Sequence, residues 1–278
     1  MMIQITNRCR MNCPYCMDDS RPDGGQMEES TFRNAIAFAL AGCDRHVVIS
    51  GGECSEHPLM LDFCKLASQS GLAFSFCTNG MWLGDKKAEW RMEKIARLRG
   101  FVGGQLYSNP KWYRLHDETL AKYAEQESRW RVLNINLDLN DIRNMSDIGR
   151  AKECEAALAE ARSSKYHNMC LVAHATIVQS TSLPDFFAKM TAQFHFCTPM
   201  VDWQGNFHMS ESWLCPHYGN VNADTPAQIW EKARAARPCC QCIGGKRYLD
   251  DASPKMVLVR RLLGQSKPDE DVSLKEVK

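Results

Sequence analysis

Val47-Val48-Ile49-Ser50-Gly51-Gly52-Glu53 is a short apolar run that breaks on two glycines and a carboxylate. Its β-branched residues read as a buried strand. Pro58 then opens a helical pattern through Leu66 that stops at Gly71, proline first and glycine last. Ala73–Cys77 reads as the next strand. Strand, helix and strand within roughly thirty residues make a crossover unit with parallel strands.

The same alternation extends both ways. Ile3–Ile5 is a strand, and Ser30–Leu40 is helical through Phe32, Ile36 and Leu40, ending at Gly42. Downstream, Asp85 caps a helix through Ile95 and Leu98 that ends at Gly100. Phe101–Tyr107 and Val132–Leu139 read as strands, Ile148–Ser163 as a helix and Cys170–Ile177 as a strand. The stretch 116–149 is short for a complete unit. The expected fold is α/β, a partial (β/α)6 TIM-like barrel over residues 1–193, since the units are too few for the eight-stranded form. Near Phe194 the pattern changes to short strands around Met200–Met209, glycine turns, more cysteines and a helix at Thr225–Ala236. Residues 194–264 are therefore expected to form a small C-terminal cysteine-rich cluster-binding domain, and 265–278 a mobile charged tail.

A formal net charge of +1 gives no electrostatic reason to expect nucleic acid or an acidic membrane as partner. No apolar run is long enough to span a bilayer, and the N-terminus lacks a signal-peptide pattern. Fourteen cysteines without such a signal, some at C-x2-C spacing, point to metal or cluster ligation rather than disulfides, and to a cytoplasmic location. Cys43, Cys64, Cys77, Cys154 and Cys170 fall in apolar or helical contexts and read as small buried hydrophobes.

The remaining motifs follow predicted strands, where parallel α/β folds place their ligand sites. The first strand leads into Cys9, Cys13 and Cys16, spaced C-x3-C-x2-C with Tyr15 before the last cysteine. The second leads into Ser50-Gly51-Gly52-Glu53, the third into Cys77-Thr78-Asn79-Gly80, and the fourth into Tyr107-Ser108-Asn109. Three thiolates can hold three corners of a [4Fe–4S] cube and leave the fourth iron open to a small ligand. A structural zinc site is the alternative, and it needs a fourth ligand such as Cys43 or His46.

These residues resemble the radical S-adenosylmethionine (SAM) enzyme superfamily over about residues 3–177. The resemblance implies that Cys9, Cys13 and Cys16 hold the cluster and that SAM chelates the open iron. It implies that Gly51, Gly52 and Glu53 contact the SAM amine and that Tyr15 packs near the adenine. Asn79, Ser108 and Asn136 are further candidates for polar contacts to SAM. Many members carry proline after the glutamate, where this chain has Cys54.

A second set, Cys197, Cys215, Cys239 and Cys242, accompanies Val201-Asp202-Trp203-Gln204-Gly205-Asn206 and Tyr218-Gly219-Asn220-Val221. It resembles the SPASM/twitch extension of radical SAM enzymes, in its smaller form, and implies one auxiliary [4Fe–4S] cluster. Cys240 can replace Cys239 as ligand, and a four-cysteine zinc knot remains open.

The resemblance implies reductive cleavage of SAM to a 5′-deoxyadenosyl radical, which takes a hydrogen atom from a substrate C–H bond. Oxidation or cross-linking of a small molecule or a peptide side chain follows, with an external electron donor such as flavodoxin or ferredoxin. The chain begins at its first strand, so no fused leader-peptide-binding domain is expected, although a separate recognition protein can supply one. The alternatives are a zinc- or cluster-binding structural or electron-carrier protein and an RNA-modifying radical SAM enzyme. His167, His208 and His217 read as solvated or hydrogen-bonded histidines rather than ligands.

Overall fold

The computed structural model describes residues 1–14, 16, 18–108, 115–139, 180–193, 199–209 and 217–236. They form one eight-stranded sheet: β1 (Met2–Gln4), β2 (His46–Ser50), β3 (Ala73–Thr78), β4 (Phe101–Ser108), β5 (Ile135–Leu139), β6 (Met200–Val201), β7 (Asn206–His208) and β8 (His217–Asn220). The spatial order is β5-β4-β3-β2-β1-β6-β7-β8. β1 lies between β2 and β6 and is parallel to both, while β7 and β8 continue as antiparallel neighbours. The strands expected near Met200–Met209 thus extend the main sheet beyond β1.

The described helices are α1 (Glu29–Ala41), α2 (Met60–Gln69), α3 (Lys86–Ala96), α4 (Leu115–Val132), α5 (Leu183–Gln193) and α6 (Pro226–Ala235). α1 buries Thr31, Phe32, Ala35, Ile36, Phe38 and Ala39, the three-and-four spacing of an amphipathic helix. Asp85 caps α3 by accepting from the Lys87 and Ala88 amides. α6 opens with Pro226 and a reciprocal Thr225–Gln228 capping box.

Three local expectations need correction. Pro58 does not open α2. Cys54–Glu56 first form a 3-10 turn, and the helix begins at Met60. The stretch after 115 holds a full unit, because α4 is an 18-residue helix that runs through Val132 before β5 starts at Ile135. Cys43 is exposed at the left-handed turn after α1, with φ of 56°, rather than packed as a small hydrophobe. Cys64 is buried as expected, and Cys77 is half-buried. The helix and strand expected at Ile148–Ser163 and Cys170–Ile177, and the tail, lie outside the described residues, as do Cys154, Cys170 and His167.

Register gives the sheet two different faces. Phe207, Val201, Ile3, Ile49, Phe76, Gly104 and Ile135 form one lateral row on seven strands. The side chains in that row are buried, and Phe38 of α1 packs on Phe207 at 5.0 Å between ring centroids. Phe32 of α1 stacks on Phe63 of α2 at 4.2 Å. Burial of each such side chain stabilises the fold by about 1.5–3 kcal/mol. Successive strand residues point to opposite faces. The other face is therefore carried by Gln4 beside Ser50, and by Cys77 beside Gln105 beside Asn136.

Candidate functional site

The loop from β1 to α1 is folded on itself. The Cys9 amide donates to the Arg21 carbonyl, the Arg21 amide to Asn7, and the Met27 amide to Ile5. Asn12 and Asp19 adopt left-handed conformations at its turns, and the Cys16 amide donates back to the Cys13 carbonyl. Sequence-local turns thereby bring Cys9, Cys13 and Cys16 into one loop at the carboxyl end of β1.

The segment after β2 is stapled to that loop. The Gly52 amide donates to the Thr6 carbonyl and the Glu53 amide to the Arg8 carbonyl, both at 2.8 Å. Glu56 accepts from the Arg10 amide and side chain at 3.1 and 3.0 Å. The approach is so close that glycine is required. A Cβ on Gly52 would stand 2.5 Å from the Arg8 carbonyl oxygen and 2.8 Å from Ser20 Cβ. One on Gly51, where φ is +154°, would stand 2.6 Å from the Thr6 carbonyl oxygen.

Glu53 is 1% exposed and points into the protein. Its Oε1 accepts from the Ser55 amide at 3.0 Å and from the Thr78 hydroxyl at 2.6 Å, and its Oε2 accepts from the Asn79 amide at 2.7 Å. The carboxylate ties the end of β2 to the end of β3. Thr78 Oγ1 itself accepts from the Gly80 amide and from Trp82 Nε1, both at 3.1 Å, so its own proton goes to Glu53. Burial raises the Glu53 pKa, and the hydrogen bonds from Ser55, Thr78 and Asn79 oppose that rise.

Asn79 is equally committed. Its Oδ1 accepts from the Met81 amide at 3.0 Å, and its Nδ2 donates to Cys9 Sγ at 3.4 Å. The Ser20 amide donates to Cys16 Sγ at 3.4 Å. N–H groups aimed at sulfur suit thiolates. In the bare protein, burial first and the Glu53 charge second push the Cys9 thiol up to about 12. A bound metal removes that barrier, because a coordinated thiol is deprotonated outright. Among the described residues no group of three or more ligand-type side chains is assembled around a metal ion. Three cysteines in one loop, two of whose sulfurs accept N–H donors, are a donor set that suits an iron–sulfur cube and is also open to zinc.

The other candidates fall as follows. Ser108 ends β4, and Asn136 lies on β5, exposed, with Nδ2 3.2 Å from Asn134 Oδ1. Tyr15, Cys197, Cys215, Cys239, Cys240 and Cys242 lie outside the described residues. Cys54 is fully buried, and its thiol donates to the Cys77 carbonyl at 3.0 Å, so the residue that replaces the usual proline is a packing group. His208 is buried and bonded to Asp202 at 3.0 Å within the β6–β7 hairpin, a hydrogen-bonded histidine as expected. Burial raises the Asp202 pKa, but hydrogen bonds from His208 and Asn206 outweigh it and hold the carboxyl below its ordinary value.

Sequence reasoning missed the polar face of the sheet. Gln4 and Ser50 are register neighbours, as are Cys77, Gln105 and Asn136. The Tyr107 hydroxyl donates to Gln105 Oε1 at 2.5 Å, and His46 Nε2 lies 3.0 Å from Ser75 Oγ. Gln4 is 2% exposed, and its Oε1 finds no hydrogen-bond partner among the described residues. The signal was present as alternation in Phe74-Ser75-Phe76-Cys77 and His46-Val47-Val48-Ile49-Ser50.

The sequence profile of the Radical SAM superfamily matches residues 3–173. The PqqA peptide cyclase of Ruegeria pomeroyi is 32% identical over 87 residues, which is 30% of this chain and 23% of that protein. The PqqA peptide cyclase of Methylobacterium nodulans is 25% identical over 83 residues, 29% of this chain and 22% of that protein. The chain thus matches less than a quarter of the length of these curated relatives. Among solved structures, BtrN in complex with AdoMet and 2-DOIA aligns with a TM-score of 0.50 at 13% identity. That alignment covers 95% of this chain and 86% of that one and speaks to the fold alone. Among the described residues no helix is long and apolar enough to cross a membrane.

Proposed function

The chain belongs to the radical SAM superfamily, and on that premise we propose that it is a radical SAM enzyme that modifies a peptide or protein side chain. Cys9, Cys13 and Cys16 hold a [4Fe–4S] cluster, and SAM occupies the site beside Gly51 and Gly52, the two glycines that let this segment lie against the three-cysteine loop. Bound there, cluster and cofactor supply reductive cleavage of SAM and abstraction of a substrate hydrogen atom. The observation that carries this reading is the stapling of the three-cysteine loop to the Gly51-Gly52-Glu53 segment at the carboxyl ends of β1 and β2. Tyr15 beside the adenine and Ser108 and Asn136 as further polar contacts belong to the same proposal. We read β1–β5 as part of an open (β/α)6 barrel whose interior is the polar face of the sheet.

Gln4, Ser50, Gln105, Tyr107 and Asn136 on that face can hydrogen-bond amides and hydroxyls, and Asp138 is the register partner of Tyr107. The relationship to PqqA peptide cyclases supports a peptide as the source of those amides. Cys197, Cys215, Cys242 and either Cys239 or Cys240 are proposed to bind a second, auxiliary [4Fe–4S] cluster in a twitch-like extension. β6 and β8 run in the same direction, and Cys197 and Cys215 immediately precede them in sequence. Four thiolates close a cube, so this cluster moves electrons or holds structure. A flavodoxin or ferredoxin supplies the first electron.

The test is anaerobic reconstitution with iron and sulfide, then SAM and dithionite. The wild type is expected to release 5′-deoxyadenosine, and Cys13→Ala to release none. A fully clustered wild type that releases none removes the proposal. Zinc in place of iron after anaerobic purification favours the structural alternative, and salt-dependent RNA binding favours the RNA-modifying one.

A further inference from the structure

Glu53, Thr78, Asn79 and Cys9 form one connected chain of hydrogen bonds from β2 through β3 to a cluster-ligand sulfur. We propose that Glu53 and Asn79 are positioning residues that set the reduction potential of the cluster held by Cys9, with opposite signs. Asn79 donates Nδ2–H to Cys9 Sγ at 3.4 Å. A hydrogen bond to a ligand sulfur withdraws charge and favours the reduced, more negative cluster. Glu53 holds the Asn79 backbone in place through its Oε2 at 2.7 Å. Its charge is buried where the Glu53 amide donates to the carbonyl of Arg8, the residue before Cys9, at 2.8 Å, and it favours the oxidised cluster.

The hydrogen-bond partners of Glu53 suit its charged form. Each group facing it is a donor: the Ser55 amide, the Asn79 amide, and a Thr78 hydroxyl whose acceptor side is already occupied by Gly80 and Trp82. The same geometry leaves Glu53 1% exposed, with both oxygens engaged inside the protein. Its link to Cys9 runs through Asn79, whose amide it holds. Asn79 is likewise held, with its Oδ1 on Met81 and its Nδ2 on Cys9, so its amide is oriented for sulfur.

This inference rests on the three-cysteine cluster proposed above, and its test separates the two. The reconstituted full chain is titrated electrochemically, following the electron paramagnetic resonance signal that changes when SAM is added. That change identifies the open cluster. Asn79→Ala is expected to move its potential negative by about tenfold in the reduction equilibrium, the value of one hydrogen bond to a charged atom, or about 59 mV for a one-electron couple. Glu53→Gln is expected to move it positive, because the charge is gone while the amide keeps an acceptor oxygen. Opposite shifts support the proposal. Shifts of the same sign, or none in either variant, overturn it, because a merely structural strut has no reason to move the potential in opposite directions. If one variant loads no cluster, the sign of the shift in the other decides. A wild type with no SAM-sensitive signal sinks the parent reading instead.

Discussion

Replacing Thr78 by valine removes one hydroxyl and keeps the shape. That hydroxyl serves three partners at once: it donates to Glu53 Oε1 at 2.6 Å and accepts from Gly80 N and Trp82 Nε1, each at 3.1 Å. Thr78 is buried, so water does not substitute for it. The bond to the carboxylate is worth about 1.5–3 kcal/mol, and each N–H left without an acceptor costs about 1–3 kcal/mol. Local relaxation recovers part of this, leaving a loss of roughly 3–5 kcal/mol, in the range reserved for broken buried networks. With a urea slope of about 2–3 kcal/mol/M, the unfolding midpoint falls by about 1–2.5 M. The assay is urea unfolding of anaerobically prepared protein followed by far-ultraviolet circular dichroism, with cluster absorbance read in parallel. Thr78→Ser keeps the hydroxyl and is expected to stay within about 1 kcal/mol of the wild type. A Thr78→Val protein with a wild-type midpoint and full cluster absorbance refutes the idea that this hydroxyl ties the two strand ends together.

Gly52→Ala is expected to lose cluster loading and SAM-dependent 5′-deoxyadenosine formation, because the new Cβ meets the Arg8 carbonyl at 2.5 Å. Overpacking of this kind costs about 1–3 kcal/mol, and iron analysis reads the outcome. Gln105→Leu, on the polar face beside Cys77 and Asn136, is expected to raise KM for a substrate peptide about tenfold while leaving substrate-free SAM cleavage unchanged. Equal loss of both activities argues that Gln105 only packs. His57 donates through Nε2 to the Met27 carbonyl and accepts the Leu59 amide on Nδ1, so it is held neutral, and burial lowers its pKa. The folded state then binds fewer protons than the unfolded one. The stability His57 contributes is present above the unfolded value of about 6.5 and is lost as pH falls toward the lowered folded value. Urea midpoints between pH 7.5 and 5.5 should fall in the wild type and fall less in His57→Gln, with identical slopes counting against the assignment.

Much of the fold could be read along the chain because it rests on local rules. The β-branched run before Gly51, the Asp85 cap, and the Thr225–Gln228 pair with Pro226 between them each signal their element within a few residues. Pro58 misled because Cys54–Glu56 form their own turn, held by Glu53, and delay α2. Val132 misled because its β propensity is overridden by α4. Cys43 misled because the turn after α1 points it outward.

The cysteine spacing, the glycine pair and the strand order along the chain belonged to the sequence by itself, because each depends on residues that are near neighbours. The direction of Glu53 did not. Only the folded sheet brings Thr78 and Asn79, twenty-five and twenty-six residues away, against its two oxygens, and Asn79, seventy residues from Cys9, onto that sulfur. The same holds for the row of polar side chains on the sheet: alternation along one strand is visible in sequence, but which residues share a row is set by register between strands. Motif chemistry is local, whereas the fate of a buried charge is decided by whichever donors the tertiary structure places around it.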